Sequence, residues 1–325
     1  MATNYGFRIV GDCRNERRLT DWQKAFAAYA DCDYRADVDK ESYLSAFTFG
    51  PAFADFLNST GSTKGYNGDC FALWLWLDID RENDQQAART DAQQLCASIC
   101  ERYDLDGNEL LIFFSGSKGF HIGLPTSLFR AEPSTGFNRF ARCFAERLAD
   151  SITVAIDNGV YDKVRAFRAP NSRHSRTGLH KRCLTFDELL KVKTNAIVER
   201  ASEPEPFEIS EPPETNQRAV DDWQGAIDQV ACQLKAAKQR RANLNGSSTL
   251  NRATREFIQD GASLGDRHRL LFSAAANLAE FGCSSELAHA LLAESALDAG
   301  LPPKEVKRQI ECGLNYKNKQ DWRDK

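Results

Sequence analysis

The chain has 325 residues, of which 42% are apolar and 27% charged, with a formal net charge of −4. That is enough apolar matter for one large core or two ordinary ones, and there is no run of about 18 apolar residues of the kind a transmembrane helix needs. The slightly acidic balance excludes a uniformly basic nucleic-acid-coating protein, although a total hides local fields.

In chain order, residues 1–18 carry charge early and lack an apolar secretory segment, so a cytoplasmic protein is expected. Residues 19–30 have helical spacing, 42–49 read as a strand, 71–80 strongly so, and 82–103 as a helix. Short apolar strands over 110–114 and 120–124 flank a glycine-containing turn. Residues 136–150 read as a helix, and 152–156 and 164–168 as further strands. Residues 202–217, SEPEPFEISEPPETNQ, are rich in Pro and Glu and predict a linker. Beyond it, 219–242, 266–281, 284–300 and 303–314 are helical, punctuated by Gly261, Gly282 and the Gly300 to Pro303 stretch, with Pro302 and Pro303 suited to a helix start. Leu270, Leu271, Ala274 and Leu278 would face the inside of a bundle. No internal repeat is visible. The prediction is an α/β or α+β domain over 1–201, a linker over 202–217 and a helical domain over 218–325.

Ten cysteines are present, and Cys96 and Cys100 share one face of the 82–103 helix. A zinc site would need two more ligands from afar, so buried free thiols are expected instead. Two stretches are basic without acids. One holds Lys163, Arg165, Arg168, Arg173, Arg176, Lys181 and Arg182; the other holds Lys235, Lys238, Arg240, Arg241 and Arg252. The second suits a solvated helix face as well as it suits nucleic acid.

Residues 71–80, FALWLWLDID, alternate across a strand. Leu73, Leu75, Leu77 and Ile79 share one face; Trp74, Trp76, Asp78 and Asp80 share the other. Two carboxylates at i and i+2 suit a Mg²⁺ or Mn²⁺ ion, since like charges side by side are costly without a counter-charge. The plain alternative is that they cap the following helix. Next, a strand ends in Ser115-Gly116-Ser117-Lys118-Gly119-Phe120-His121. Two glycines there let backbone N–H groups converge on an anion, and Ser115, Ser117, Lys118 and His121 add donors for a polyphosphate. The plain alternative is a hairpin with a polar tip. The Walker spacing is absent throughout.

An Asp-x-Asp strand followed by Ser-Gly-x-Lys-Gly-x-His resembles the first two motifs of the archaeo-eukaryotic primase superfamily. The third motif of that family, a hydrophobic residue and then Asp on a strand, is matched by Ile156-Asp157, with Asp162 a nearby rival. Residues 168–178, RAPNSRHSRTG, are similar to the family pattern basic-x-Pro-x-Ser-x-His-x-Lys-Thr-Gly, with Arg176 where Lys is usual. That exchange keeps the charge and changes its geometry. The resemblance covers about a third of the chain, residues 71–183.

The resemblance implies an α+β catalytic domain with a mixed or antiparallel sheet and an RRM-like core. It implies template-directed nucleotidyl transfer from NTPs or dNTPs on single-stranded DNA. Asp78, Asp80 and Asp157 would hold two Mg²⁺ or Mn²⁺ ions, and Ser115, Ser117, Lys118, His121, Arg168 and His174 would grip the triphosphate. Arg173 and Arg176 would meet the template. The helical region is similar to the small domain that follows the catalytic domain in phage and plasmid primases, with Arg267, His268, Arg269 and Lys307 as further contacts. Tyr43 and Tyr66 are candidates for the sugar pocket. Unwinding would fall to a partner such as a replicative helicase. The rival expectations are a catalytically weak origin- or single-strand-binding module, and a metal-dependent nuclease.

Overall fold

The computed structural model describes residues 4–82, 84–244, 250–263 and 265–316, with the side chains of 240–244 excepted. Arg240, Arg241 and the polar tail 317–325 thus lie outside what is described. The chain divides into two compact units between Gln233 and Leu234.

The elements of the first unit are β1 (Tyr5–Val10), β2 (Arg18–Asp21), α1 (Trp22–Ala30), β3 (Ser42–Ser45), β4 (Thr48–Phe49), α2 (Pro51–Thr60), β5 (Cys70–Phe71) and β6 (Trp74–Asp80). They continue with α3 (Gln85–Tyr103), β7 (Leu111–Phe114), β8 (Gly119–Pro125), α4 (Phe137–Asp150), β9 (Ala166–Arg168), β10 (Arg182–Leu184), α5 (Phe186–Lys191) and α6 (Thr194–Arg200). Helix α7 (Gln217–Leu244) runs from this unit into the second, which holds α8 (Arg252–Asp260), α9 (Arg267–Glu280), α10 (Ser285–Asp298) and α11 (Pro303–Leu314).

Two antiparallel sheets make the first unit. One is ordered β5-β4-β1-β3-β9, with β2 also on β1; the other is ordered β10-β7-β8-β6. The class is α+β, as expected. Leu75, Leu77 and Ile79 are buried on one face of β6, and α3 covers that sheet with Ala88, Ala92, Leu95, Cys96 and Ile99. The other face of the β10-β7-β8-β6 sheet meets the first sheet: Phe167 of β9 lies 5.3 Å from Trp76 and 4.5 Å from His121, ring to ring. The functional face of β6 is therefore a seam between two sheets.

Several boundaries differ from the sequence reading. The 42–49 strand is broken into β3 and β4 at Ala46 and Phe47. Residues 152–156 form no strand: Thr153 takes a left-handed φ of 60°, which ends any ladder. Cys96 is fully buried and Cys100 only partly, and all ten cysteines are free. The Pro- and Glu-rich stretch is a strap along the first unit. Phe207 N–H donates to the Ala30 carbonyl, Asn216 N–H to the Leu128 carbonyl, and the Phe207 ring meets Phe113 at 5.4 Å. Trp223 of α7 then packs on Phe129 at 4.8 Å and Phe137 at 5.5 Å, while Asp222 takes a two-pronged contact from Arg102 at 2.7 and 2.8 Å.

In the second unit Leu271, Ala274 and Leu278 of α9 face Leu292, Val306 and Ile310, and Leu270 is half-buried. Pro302 is the N-cap residue of α11 and Pro303 its first turn.

Candidate active site

Strand β6 brings Asp78 and Asp80 to its end and pairs along its whole length with β8, so that Asp78 stands opposite His121 and Asp80 opposite Gly119. A side chain at position 119 would strike the Ile79 carbonyl and Asp80 Oδ1, which is why glycine sits there. The two acids do not cap the following helix. Asp84 does that, accepting from the Ala87 N–H at 2.8 Å.

The third acid arrives by another route than a strand. The Asp157 N–H donates to the Asp78 carbonyl at 2.8 Å, and its side chain accepts from the Gly159 N–H at 2.8 Å, capping a short 3-10 turn, Asn158–Tyr161. Tyr161 anchors that turn to β6 through a 2.6 Å bond to the Trp76 carbonyl. Burial, followed by the charges of Asp80 and Asp157, pushes Asp78 up to about 7, while Lys181 and Arg165 pull it down. Asp80 meets Lys118 Nζ at 3.1 Å. Asp78 Oδ1 is buried without a hydrogen-bond donor.

His121 Nε2 lies 3.4 Å from that oxygen, but burial, with Lys181 and Arg168 behind it, holds the imidazole well below its usual range and neutral, so no ion pair forms. An orphaned buried carboxylate oxygen, crowded by two further acids, is a donor set for a hard divalent cation. Among the described residues no three His, Cys, Asp or Glu side chains are already disposed around such an ion. Asp80 pairs instead with Lys118, and Asp157 accepts from the Gly159 N–H.

The turn between β7 and β8 has Gly116 at φ 80°. Ser115 Oγ is turned inward, accepting from the N–H groups of Ser117 at 3.3 Å and Gly119 at 3.2 Å, so it shapes the turn. Thr177 binds the Gly116 carbonyl at 2.6 Å and docks the basic 173–178 loop on this turn. Lys118 is exposed beside Asp80, and Ser117 is half-buried.

Arg168 ends β9 with its side chain already engaged: Glu41 Oε1 lies 3.4 Å away and the Tyr43 ring 5.2 Å beneath the guanidinium. It is thus not free in the way the motif resemblance implies, and would have to exchange Glu41 for a phosphate. His174 accepts from the Arg176 N–H at 3.2 Å through Nδ1 and so orders its own loop. Burial, then Arg168 and Arg176, lower its pKa. Arg173 and Arg176 are exposed, Arg173 donating to the Gly178 carbonyl. Tyr43 stands beside Arg168, whereas Tyr66 is core, packed on Phe49 and Phe53.

In the second unit, the expected contacts are bound internally. Arg267 donates to the Ala299 and Gly300 carbonyls, His268 meets Glu305 at 3.2 Å, Arg269 meets Asp266 at 2.9 Å, and Lys307 lies 4.0 Å from Glu311.

The sequence reading missed Glu41, whose partner is 127 residues away, and it counted Lys181 only as one of a basic run. Lys181 is 1% exposed. Lys181 lies just before the three-residue β10, where no periodic pattern marks a buried position.

No protein-family model matches the chain, and no curated protein sequence matches it. Among solved structures, the chain is similar to the crystal structure of primase RepB', at 15% identity over 97% of this chain and 90% of that one, with a TM-score of 0.38. It is also similar to the polymerase domain from Mycobacterium tuberculosis ligase D in complex with DNA, at 16% identity over 59% of this chain and 69% of that one, with a TM-score of 0.34. At these scores the likenesses carry no argument, and the functional reading rests on the residues of the seam.

Proposed function

We propose that this chain is a nucleotidyltransferase of the primase-polymerase kind, joining NTPs or dNTPs on a single-stranded DNA template with release of pyrophosphate. One observation supports the reading: Asp78 keeps a buried carboxylate oxygen with no donor, while Asp80 follows it on the same face of β6 and the Asp157 N–H is bonded to the Asp78 carbonyl. Phosphoryl transfer asks for charge neutralisation and alignment more than for covalent chemistry. Mg²⁺ or Mn²⁺, held by these three acids, would supply that neutralisation when bound.

The remaining roles fall to the protein's own groups. Lys118, beside Asp80, and Arg168, released from Glu41, would be the cations for the triphosphate. His121, neutral and packed at a tilt against Phe167, would be a hydrogen-bonding wall. Ser117 and His174 are further candidates for the triphosphate. Arg173 and Arg176 face outward for the template backbone, and Arg267, His268 and Arg269 are further candidates once their internal partners are exchanged. A helicase partner would supply single strands.

A second reading, a catalytically weak origin- or single-strand-binding module, is favoured by the lack of a ready-made metal-ligand set among the described residues. The two part in one experiment. Labelled NTPs or dNTPs are supplied with unprimed single-stranded DNA and Mg²⁺ or Mn²⁺, and in parallel with a primed template. New oligonucleotides support priming; extension alone supports a polymerase. DNA binding without synthesis in either arm supports the binding module and overturns the proposal. Degradation of the strand without nucleotides would point to a nuclease.

A further inference from the structure

Among the described residues of the first unit, Lys181 is the most deeply buried charged side chain, and the reading above gives it no role. Among the described residues its ammonium has one hydrogen bond, to the Arg168 carbonyl at 2.9 Å. Around it lie the rings of Phe167 at 4.4 Å, Phe113 at 4.6 Å and Trp76 at 5.1 Å. An ammonium in water has partners for all three N–H bonds, so its burial here is costly, and three ring faces offset only part of that cost.

A methionine would fill the same space without the desolvation. Among the described residues no carboxylate lies within ion-pair distance of this ammonium, so an apolar side chain of similar volume would avoid its desolvation cost without breaking a pair. Packing alone therefore gives no reason for a lysine at this position. What the ammonium holds gives one. The Arg168 carbonyl is the last of β9, and Arg168 is the candidate phosphate cation. The Lys181 backbone also closes the base of the basic loop: its N–H donates to the Ser172 carbonyl at 3.1 Å and its carbonyl accepts from the Asn171 N–H at 2.8 Å. That base is itself fixed, since Asn171 Nδ2 donates to the Tyr29 carbonyl at 2.9 Å and Ser172 Oγ to the Ala169 carbonyl at 2.8 Å.

We propose that Lys181 is a positioning residue for the polyphosphate end of the nucleotide: from inside the seam it pins the Arg168 carbonyl to the base of the 172–180 loop, and so sets the direction of the Arg168 guanidinium. The inference rests on the nucleotidyl-transfer reading. Small misplacements of a phosphate clamp are expensive, so the effect should be large for a residue that touches no substrate.

The test is binding of a labelled, non-hydrolysable nucleoside triphosphate with Mg²⁺ to the full chain, with KM, kcat and Tm beside it, for wild type, Lys181→Met and Lys181→Gln. Lys181→Met should keep a Tm no lower than wild type while Kd and KM rise about tenfold and kcat changes less. Lys181→Gln, which keeps a donor for the Arg168 carbonyl, should recover part of the loss. Unchanged Kd and KM in a folded Lys181→Met would overturn the inference alone. So would failure of both variants to fold, which would make the residue structural. Absence of nucleotide binding by the wild type would instead remove the reading beneath it, and the inference with it.

Discussion

The N–H of Asp157 donates to the carbonyl of Asp78 at 2.8 Å, so the third acid is tied to the first by backbone and needs no strand of its own. The charge of Asp157 can then be removed without loosening the turn. Asn is as good an N-cap as Asp. Asp157→Asn should leave Tm within about 1 °C of wild type and lower nucleotide incorporation by at least about 100-fold. Thermal melts and a primer-extension assay on the same preparation check both halves.

The burial of Asp78 makes a prediction about pH. Its folded pKa of about 7 lies above the ordinary 3.8, so the native state holds the proton more tightly, and stability falls as pH rises from about 4 to 7. Lys181 has the opposite sign: lowered to about 7 from 10.5, it leaves the unfolded chain binding more protons, and stability rises from about 7 to 10. Without divalent ions, Tm should dip near neutral pH. Asp78→Asn should abolish the acid limb, and Lys181→Met the alkaline one. A flat profile in the wild type would show that neither group is desolvated as described.

A divalent cation that binds the native state stabilises it by mass action. Mn²⁺ should therefore raise Tm at pH 8, where Asp78 is ionised, and do little at pH 5. Asp78→Ala/Asp80→Ala should lose the response at both values. Differential scanning calorimetry with and without the ion reads this directly, without any nucleotide.

Gly119→Ala should be among the most damaging single methyl additions, because the new atom meets the Ile79 carbonyl and Asp80 on the neighbouring strand. Overpacking of this kind costs about 1–3 kcal/mol, and here it would also part β6 from β8 beside the acids. A denaturant melt should show the loss, with incorporation falling further than the folded fraction does.

The strap and the start of α7 belong physically to the first unit. A fragment 1–201 lacks Phe207, Asp222 and Trp223, and should aggregate or melt far below 1–233. Trp223→Ala in the full chain should cost about 3–5 kcal/mol, the range for large aromatic truncations in a core. Equal melting of the two fragments would place the boundary back at the Pro- and Glu-rich stretch.

These features also mark what a linear reading can see. The period-2 pattern of 73–80 put Asp78 and Asp80 on one face correctly, because a strand buried on one side by Leu75, Leu77 and Ile79 has only one register. Helices α9, α10 and α11 were legible from their spacing and the proline start of α11, whereas α8 (Arg252–Asp260) was not read. The 152–156 segment misled, since apolar alternation over five residues does not reveal the left-handed Thr153 that stops pairing. Glu41 on Arg168 and the inward Lys181 were out of reach: each depends on which distant strands become neighbours. Composition told nothing of this, as a basic residue in a basic run looks the same whether it faces water or three aromatic rings.

The central claim is tested most directly by incorporation of labelled nucleotide on single-stranded DNA, with Mn²⁺, by wild type and by Asp78→Asn/Asp80→Asn. The account predicts template-dependent product and pyrophosphate from the wild type, and neither from the variant, with both proteins folded and binding DNA alike. Equal product from the two would contradict it, as would no product from either on primed and unprimed templates.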